Sequence, residues 1–322
     1  MSRPLTDREI RSELEPVAAA NVNRHEAAVT EWNPHDYVPW ERGRNFARTG
    51  GVDWSPEQSQ LSDVAKAAMV TNLLTEDNLP SYHRWAVEQL SLDGAWEAWV
   101  GRWTAEENRH GIVIRDYLVV TRGVDPIALE QARMQHVTNG FGPTADEEAK
   151  HRPDFLLSVA YATFQELATR VSHRNTGKVC DDPVADRMLQ RIAADENLHM
   201  VFYRNMCSAA LDLVPDQALE AVADVVENFR MPGLGMPNFR RNSVLMAKHG
   251  IYDPRLHMDE VVKPTLRKWR IFDRDDFTSR GEQRREQLAT YLESLEHQVI
   301  RFEEQRDRRL AREERNRASK AG

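Results

Sequence analysis

The stretch that decides the fold is WTAEENRH at residues 103–110, and ADENLH at residues 194–199 repeats its ending. Both stretches place a glutamate three residues before a histidine, Glu107 before His110 and Glu196 before His199. On an α-helix three residues turn through about 300°, so each pair lies one turn apart on the same helix face. Each pair therefore offers one carboxylate oxygen and one imidazole nitrogen to a common point.

A further glutamate precedes each pair at nearly the same spacing. Glu76 lies 31 residues before Glu107, and Glu166 lies 30 residues before Glu196. In a helix bundle that holds two metal ions, each Glu-x-x-His helix has a partner helix with one more inward carboxylate. Because each uncompensated buried ion costs several kcal/mol, carboxylates gathered in a core need cations. The near-repeat predicts an all-α four-helix bundle around two divalent metal ions.

Composition limits the other possibilities. A chain of 322 residues with 41% hydrophobic residues can bury a substantial core, and no apolar run reaches the membrane-spanning length of about 18 residues. The N-terminus has no signal-peptide pattern, so we expect a cytoplasmic protein. Cys180 and Cys207 are too few for a disulfide framework and are expected to be reduced thiols. The net charge of −8 argues against nucleic acid as the main partner.

The pattern along the chain predicts four parts. Residues 1–60 begin with an amphipathic helix, then contain irregular Pro- and Gly-rich sequence that we expect to wrap the bundle. Residues 61–213 contain the four bundle helices, and residues 214–302 contain bracing helices of the same domain. Residues 303–322 form a charged tail of alternating Arg and Glu, expected to be a solvated helix.

Local signals place the helix boundaries. The first bundle helix should kink or break at Pro80, close to Glu76, and Asp77 competes with Glu76 for the role of ligand. The second should run from about residue 93 to 120, followed by a crossover between residues 121 and 153. The third should end near Gly177. The fourth should be capped by Asp181 or Asp182, with Pro183 just inside it.

The ligand types indicate the chemistry. Mixed carboxylate and imidazole ligands favour iron or manganese and leave coordination positions open, unlike a closed thiolate zinc site. Two adjacent irons can reduce O2 by two electrons and attack a strong C–H bond. Thr169 lies one turn after Glu166, where its hydroxyl could act on iron-bound oxygen. It could equally bond a backbone carbonyl of its own helix.

These residues resemble a known family, the soluble acyl-acyl-carrier-protein desaturases of plants and actinobacteria. The resemblance is carried by TEDNLPSY at residues 75–82, WTAEENRHG at 103–111, TFQELAT at 163–169 and IAADENLH at 192–199. It extends upstream to WNPHD at residues 32–36 and fades after about residue 240. The family implies a ferritin-like four-helix bundle with two iron ions per chain.

Carried over residue by residue, the resemblance implies a complete ligand set. Glu76, Glu107 and His110 would bind one iron, and Glu166, Glu196 and His199 would bind the other. Glu107 and Glu196 would bridge the two ions, and the sequence context would select Glu76 over Asp77. Thr169 matches the oxygen-activating hydroxyl. Asp195 and Trp32 resemble an electron path to the surface, which Trp103 could join, although Trp103 could equally be a plain core aromatic.

The resemblance further implies O2-dependent insertion of a cis double bond into an acyl chain on acyl carrier protein. The resemblance also implies a ferredoxin-type electron donor and a homodimer. Asn197 and Leu198 depart from the basic residues of plant members, which weakens that part of the expected carrier contact. A basic cluster could replace it, or could be an ordinary solvated face; it consists of Arg267, Lys268, Arg270 and Arg274.

Three alternative functions remain compatible with parts of this pattern. A hydroxylase or oxygenase would use the same six ligands. A ferritin-type iron store would use a similar bundle but is disfavoured by chain length and by the doubled Glu-x-x-His. An inactive relative that binds acyl carrier protein is disfavoured by the intact ligand set.

Overall fold

The computed structural model describes residues 3–140, 154–233, 236 and 238–321, and these residues form helices and no strand. The helices are α1 (Asp7–Ala28), α2 (Asp63–Asp77), α3 (Leu79–Leu90), α4 (Gly94–Val120), α5 (Pro126–Asn139), α6 (Phe155–Val179), α7 (Pro183–Leu213), α8 (Pro215–Asn228), α9 (Phe239–Lys248), α10 (Pro254–Leu256), α11 (Lys263–Lys268) and α12 (Ser279–Ala321). A π-helix, His257–Val262, joins α10 to α11. The predicted all-α fold class is confirmed.

Four long helices, α2, α4, α6 and α7, pack together as a bundle. Their inward faces are the apolar stripes that the sequence predicts. In α4 the buried stripe comprises Trp96, Val100, Trp103, Glu107, His110, Ile114 and Tyr117. In α7 it comprises Leu189, Ile192, Glu196, His199 and Tyr203. Burial of each large apolar side chain contributes about 1.5–3 kcal/mol, so these neighbours carry the acidic and imidazole groups into the core.

The break between α2 and α3 occurs where Pro80 predicts it. Proline has no N–H to donate, and its ring would clash with the carbonyl four residues earlier, which belongs to Glu76. Helix α2 therefore ends at Asp77, and α3 begins at Leu79 with Pro80 in its first turn. This break places Glu76 in the last turn of α2.

The junction between α6 and α7 also follows its sequence signals. Asp182, rather than Asp181, caps α7, since its carboxylate accepts a 2.8 Å hydrogen bond from the N–H of Val184. The third bundle helix continues two residues beyond Gly177 to Val179. A Cβ at Gly177 would lie 2.8 Å from a carboxylate oxygen of Asp186, so this glycine serves close packing of α6 on α7.

The remaining helices surround the bundle. α1 lies against α4 and α7, α8 packs on α6, α7 and α12, and α9 packs on α2. α5 lies within the predicted crossover, whose residues 141–153 fall outside the described part of the chain. α12 extends to Ala321, so the charged tail continues a helix. The division of the chain into four parts stays a prediction.

Cys180 and Cys207 are buried and are not joined in a disulfide. Across the described ranges, none of the helices is both long enough and apolar enough to cross a membrane.

Candidate metal centre

Six acidic and imidazole side chains from all four bundle helices converge at one buried point. They are Glu76 from α2, Glu107 and His110 from α4, Glu166 from α6, and Glu196 and His199 from α7. The most exposed of them, Glu107, has only 8% of its surface accessible. The structure thus brings together all six residues that the sequence analysis selects as ligands.

These side chains form two overlapping groups with the geometry of metal sites. One group contains Glu76, Glu107, His110 and Glu196, and the other contains Glu107, Glu166, Glu196 and His199. Within each group, one nitrogen or oxygen atom from every residue lies within 4.8 Å of the others. Glu107 and Glu196 belong to both groups, which is the arrangement required of carboxylates that bridge two ions.

The same nitrogen of each imidazole faces the carboxylates. His110 Nδ1 lies 3.2 Å from Glu196 Oε1 and 3.4 Å from Glu107 Oε2. His199 Nδ1 lies 2.8 Å from Glu107 Oε1 and 3.5 Å from Glu166 Oε2. The two ring centroids are 6.0 Å apart, so both histidines can serve one compact centre.

Asp77, the alternative to Glu76, points elsewhere. Its carboxylate pairs with the guanidinium of Arg133 on α5 and belongs to none of the possible ligand groups found among the described residues. Burial raises the pKa of Asp77, with Arg133 acting in the opposite direction. The structure therefore favours Glu76 over Asp77 as the member of the cluster contributed by α2.

The residues fit a pair of metal ions because their inward atoms lack other partners. Despite the short contacts, no hydrogen bond within the described structure is made by Nδ1 of His110 or His199, or by one oxygen each of Glu107, Glu166 and Glu196. A buried polar atom left without a partner costs about 1–3 kcal/mol. Cations between these atoms would remove that cost, and oxygen and nitrogen donors without thiolates suit iron or manganese.

The electrostatics of the cluster lead to the same conclusion. Burial raises the pKa of Glu166 well above its usual value, and the charges of Glu107 and Glu196 raise it further. Burial alone would lower the pKa of His110 and His199, yet the surrounding carboxylates raise both pKa values well above the usual value. Without metal, the cluster retains protons. Binding of divalent ions should therefore release protons.

The predicted pair of Asp195 and Trp32 lies on the Nε2 side of His110, away from the other carboxylates. Asp195 Oδ2 lies 3.4 Å from His110 Nε2 and accepts a 2.7 Å hydrogen bond from Trp32 Nε1. Burial opposes ionisation of Asp195, but His110 outweighs it and the pKa falls to about 2. A carboxylate in this position fixes the tautomer and orientation of a ligand histidine.

His199 has an equivalent support that the sequence analysis missed. Glu106 Oε2 lies 2.9 Å from His199 Nε2 and 2.9 Å from His25 Nε2 of α1. The missed signal is a longer repeat. RWTAEENRH at residues 102–110 and RIAADENLH at 191–199 carry the same type of side chain at six of nine positions, including an acid directly before Glu107 and Glu196. Each acid supports the histidine of the opposite helix.

The two carboxylates from α2 and α6 are also fixed by donors. Trp103 Nε1 donates a 3.0 Å hydrogen bond to Glu166 Oε1, so Trp103 is both a core aromatic and a partner of the cluster. His173 Nε2 lies 2.7 Å from Glu76 Oε1, a contact that the sequence analysis did not anticipate. Each contact leaves the second oxygen of the carboxylate directed at the ligand group.

Thr169 lies beside the cluster with its hydroxyl directed at Glu196. Its Oγ1 is 2.6 Å from Glu196 Oε2, and it is also 3.0 Å from the carbonyl of Glu166 and 3.2 Å from that of Gln165. The hydroxyl therefore contacts a carboxylate of the cluster as well as two backbone carbonyls of its own helix. The hydrogen bond to a carboxylate is the shorter one and is charge-assisted.

The basic cluster is only partly available to a partner. Arg267, Lys268 and Arg270 are exposed at the end of α11. Arg274, in contrast, lies 3.0 Å from Asp212 and also pairs with Asp276, so its charge is compensated within the chain. Three of the four predicted carrier-binding side chains are therefore accessible.

An all-α bundle whose core holds two Glu-x-x-His pairs and two further carboxylates defines the ferritin-like class of two-metal proteins. The family model described as fatty acid desaturase matches residues 6–321. The chain is also 54% identical over 316 residues to a protein of Mycobacterium tuberculosis named putative acyl-(acyl-carrier-protein) desaturase DesA1, covering 98% of this chain and 94% of DesA1. The chain belongs to the fatty acid desaturase family, as an enzyme of the acyl-acyl-carrier-protein desaturase type.

A plant relative and a solved structure agree with this assignment. The chain is 30% identical over 297 residues to stearoyl-(acyl-carrier-protein) 9-desaturase 6 of Arabidopsis thaliana, covering 86% of this chain and 73% of that protein. The crystal structure of putative acyl-ACP desaturase DesA2 from Mycobacterium tuberculosis matches with a TM-score of 0.64 at 31% identity. The match covers 81% of this chain and 99% of the chain in that structure.

Glu166→Gln is expected to stabilise the metal-free protein. The raised pKa of Glu166 means that its ionised form opposes folding, and this penalty develops as pH rises from the unfolded value towards the folded value. At neutral pH the substitution should raise the free energy of unfolding by about 1–3 kcal/mol, the range for one unsatisfied buried polar group. Thermal unfolding in the presence of a chelator measures it.

The exposed Glu286→Gln on α12 provides the matched control, since it makes the same chemical change outside the cluster. The two variants should become indistinguishable in stability below about pH 4, where the unfolded carboxyls are protonated. A lower melting temperature for Glu166→Gln at neutral pH would contradict this account of the cluster.

Proposed function

We propose that this chain uses O2 and a di-iron centre to introduce a cis double bond into a saturated acyl chain carried on acyl carrier protein. The proposal rests on two ligand groups that share Glu107 and Glu196 and lie beside cavities in the core. The names of the relatives, which specify acyl-acyl-carrier-protein desaturases, support this substrate class.

Six side chains would hold the two irons. Glu76, Glu107 and His110 would bind one ion, and Glu166, Glu196 and His199 would bind the other, with Glu107 and Glu196 shared. When bound, two irons supply the two-electron reduction of O2 that lets two hydrogens be removed from adjacent saturated carbons. The overall reaction consumes O2, two external electrons and two protons, and releases two waters.

Two cavities that adjoin at Glu76 offer a path for the acyl chain. The first is lined by polar groups, among them Thr71, Asn72 and Thr169, and also by the apolar side chains of Met231, Phe239 and Met246. The second is lined by the aromatic residues Tyr82, Trp85, Trp103, Tyr161 and Tyr203, together with the carboxylates Glu107, Glu166 and Glu196. In the proposed orientation the methyl end would lie against the aromatic walls of the second cavity, and the carrier-proximal end would occupy the first.

Residues of the chain itself would orient this centre and handle protons. Asp195 and Glu106 hold the two ligand histidines, while Trp103 and His173 hold the two unshared carboxylates. Thr169 lines the first cavity and hydrogen-bonds Glu196, so its hydroxyl can pass a proton between the cavity and the cluster. Enclosure of the cluster among buried side chains excludes bulk water.

The proposed partners follow from surface charge and from the hydrogen-bonded path that leads from His110 through Asp195 to Trp32. A ferredoxin-type donor would deliver electrons through Trp32 and Asp195, which are linked by a 2.7 Å hydrogen bond. Acyl carrier proteins are acidic, so Arg267, Lys268 and Arg270 provide a candidate contact of opposite charge. We also propose a homodimer, as in the family that the sequence resembles.

The direct test is reconstitution. Purified chain is loaded with Fe²⁺ and supplied with a ferredoxin reducing system, O2 and saturated acyl carrier protein of several chain lengths. Mass spectrometry of the released acids should show loss of two hydrogens. A product heavier by one oxygen would favour the hydroxylase alternative, and absence of any O2 consumption with all chain lengths would favour an inactive relative.

Glu107→Ala should abolish iron binding at both positions. A bridging carboxylate serves two ions, so its loss removes a ligand from each ligand group at once. Metal analysis should find fewer than one iron per chain, compared with two for the unaltered protein. Asp77→Ala is the control, because Asp77 lies outside the ligand groups, and it should retain two irons. Two irons per chain in Glu107→Ala would refute the bridging assignment.

Thr169→Ala should leave iron bound and reduce the fraction of O2 consumption that yields unsaturated product. The substitution removes the hydroxyl that contacts Glu196 without changing a ligand. Parallel measurement of O2 uptake and product measures the coupling. Thr169→Ser retains the hydroxyl and should retain the coupling, and equal coupling in Thr169→Ala would assign Thr169 a structural role only.

Ala162→Leu should shift the substrate preference towards shorter acyl chains. Ala162 is buried and lines the aromatic cavity, so a larger side chain removes space from the proposed methyl-end compartment. Competition among acyl carrier proteins of mixed chain length measures the shift. Ala98→Leu makes the same change on the exposed face of α4. An unchanged preference in a folded, iron-loaded Ala162→Leu would place the methyl end elsewhere.

A further inference from the structure

Arg109 lies between the two carboxylates that support the ligand histidines. Its Nη2 is 3.8 Å from Glu106 Oε1 and 3.7 Å from Asp195 Oδ2, and its side chain is 17% exposed. The same guanidinium covers the ring of Trp32 at 5.0 Å from the ring centroid. Its Nη1 also donates a 3.1 Å hydrogen bond to the Trp32 carbonyl. One side chain therefore contacts both supports and the indole.

Neither supporting carboxylate depends on Arg109 for a direct ion pair. Arg102 pairs with Glu106, and Arg191 pairs with Asp195, in each case from four residues earlier on the same helix. The separations between Arg109 and the two carboxylates exceed hydrogen-bond length, and its Nε and Nη2 make no hydrogen bond among the described residues. Arg109 Nη1 does lie 3.5 Å from Oε2 of Glu31, but the Glu31 side chain is 70% exposed and solvent screens that pair. Arg109 therefore still adds positive charge beside the two buried supports.

The internal repeat is broken at this position. In the two matching stretches, residues 102–110 and 191–199, Arg109 occupies the place that Leu198 occupies in the second. The two helices thus provide equivalent candidate ligands and equivalent supporting carboxylates, Glu106 and Asp195. Only α4 provides a cation, Arg109, that lies close to both carboxylates. Because Leu198 brings no charge, the contribution of Arg109 has no duplicate on α7.

We infer that Arg109 is a positioning residue that holds Trp32 against Asp195 and raises the reduction potential of the metal centre. Stacking and the carbonyl hydrogen bond fix the indole, whose Nε1 donates to Asp195. Each electron accepted from the donor makes the centre less positive by one charge. A nearby, partly buried cation stabilises that reduced state more than the oxidised state. The part concerning the potential rests on the proposed di-iron function.

Three variants separate charge from shape. Arg109→Leu introduces the residue of the matching repeat and removes the charge, whereas Arg109→Lys retains the charge without the planar stacking surface. Arg115→Leu is the control, because it removes a charge from the exposed side of α4 away from the supports. All three are compared with the unaltered chain for folding by circular dichroism and for iron content.

The first measurement uses metal-free protein and acrylamide quenching of tryptophan fluorescence. The contribution of Trp32 is obtained by subtracting the same measurement on Trp32→Phe backgrounds. Arg109→Leu should increase the quenching of Trp32, while Arg115→Leu should not. Unchanged Trp32 quenching in Arg109→Leu would overturn the positioning role, and this result does not require that the protein bind iron.

The second measurement is the midpoint potential of the iron-loaded protein by redox titration. Arg109→Leu should shift the midpoint potential to a lower value. Arg109→Lys retains the charge, so its potential should lie close to that of the unaltered chain. Equal potentials in Arg109→Leu and the unaltered chain, or equal values in the Leu and Lys variants, would overturn the electrostatic role. If the unaltered chain binds no iron, the proposed function fails, and the quenching result alone decides whether Arg109 positions Trp32.

Discussion

The structure depends on one electrostatic constraint, the burial of four carboxylates and two imidazoles at a single point between four helices. Such a group is unfavourable in a low-dielectric core unless cations or protons balance it. The raised pKa values of Glu166, His110 and His199 show how the metal-free chain responds, by retaining protons. The surrounding residues then orient the atoms that cations would bind, and the fold tolerates the cluster because other contacts stabilise each helix.

Helix geometry converts this constraint into a precise site. The i, i+3 spacing aligns Glu107 with His110 within one helix, but convergence requires that separate helices end and pack at defined places. Pro80 ends α2 immediately after Glu76, and Gly177 allows α6 to approach α7 closely. Neither residue belongs to the two ligand groups found among the described residues, yet both determine where α2 and α6 place Glu76 and Glu166.

The cluster is nearly symmetric in its candidate ligands and asymmetric in its surroundings. Trp103 on α4 matches Ile192 in the repeat, so the hydrogen bond to Glu166 has no equivalent from Ile192 on α7. The outer nitrogens of the histidines face Asp195 and Glu106, whereas carboxylates line the cavities proposed for the acyl chain. This separation would allow electrons and substrate to reach the centre from different sides.

The sequence by itself determined the helical class, the six clustered side chains, the break at Pro80 and the pairing of Asp195 with Trp32. The helical class and the break follow from periodicity and local backbone chemistry, which act over short distances along the chain. The full set of six and the pairing of Asp195 with Trp32 also required the family resemblance. Only the tertiary structure decided that Asp182 rather than Asp181 caps α7, that Asp77 turns towards Arg133, and that His25, Glu106 and His173 join the centre. It also revealed that Arg274 is compensated by Asp212 and Asp276. For most of these contacts the physical reason is that they join residues far apart in sequence, with a geometry that is fixed only when whole helices pack. The Asp182 cap and the Arg274–Asp276 pair are the local exceptions.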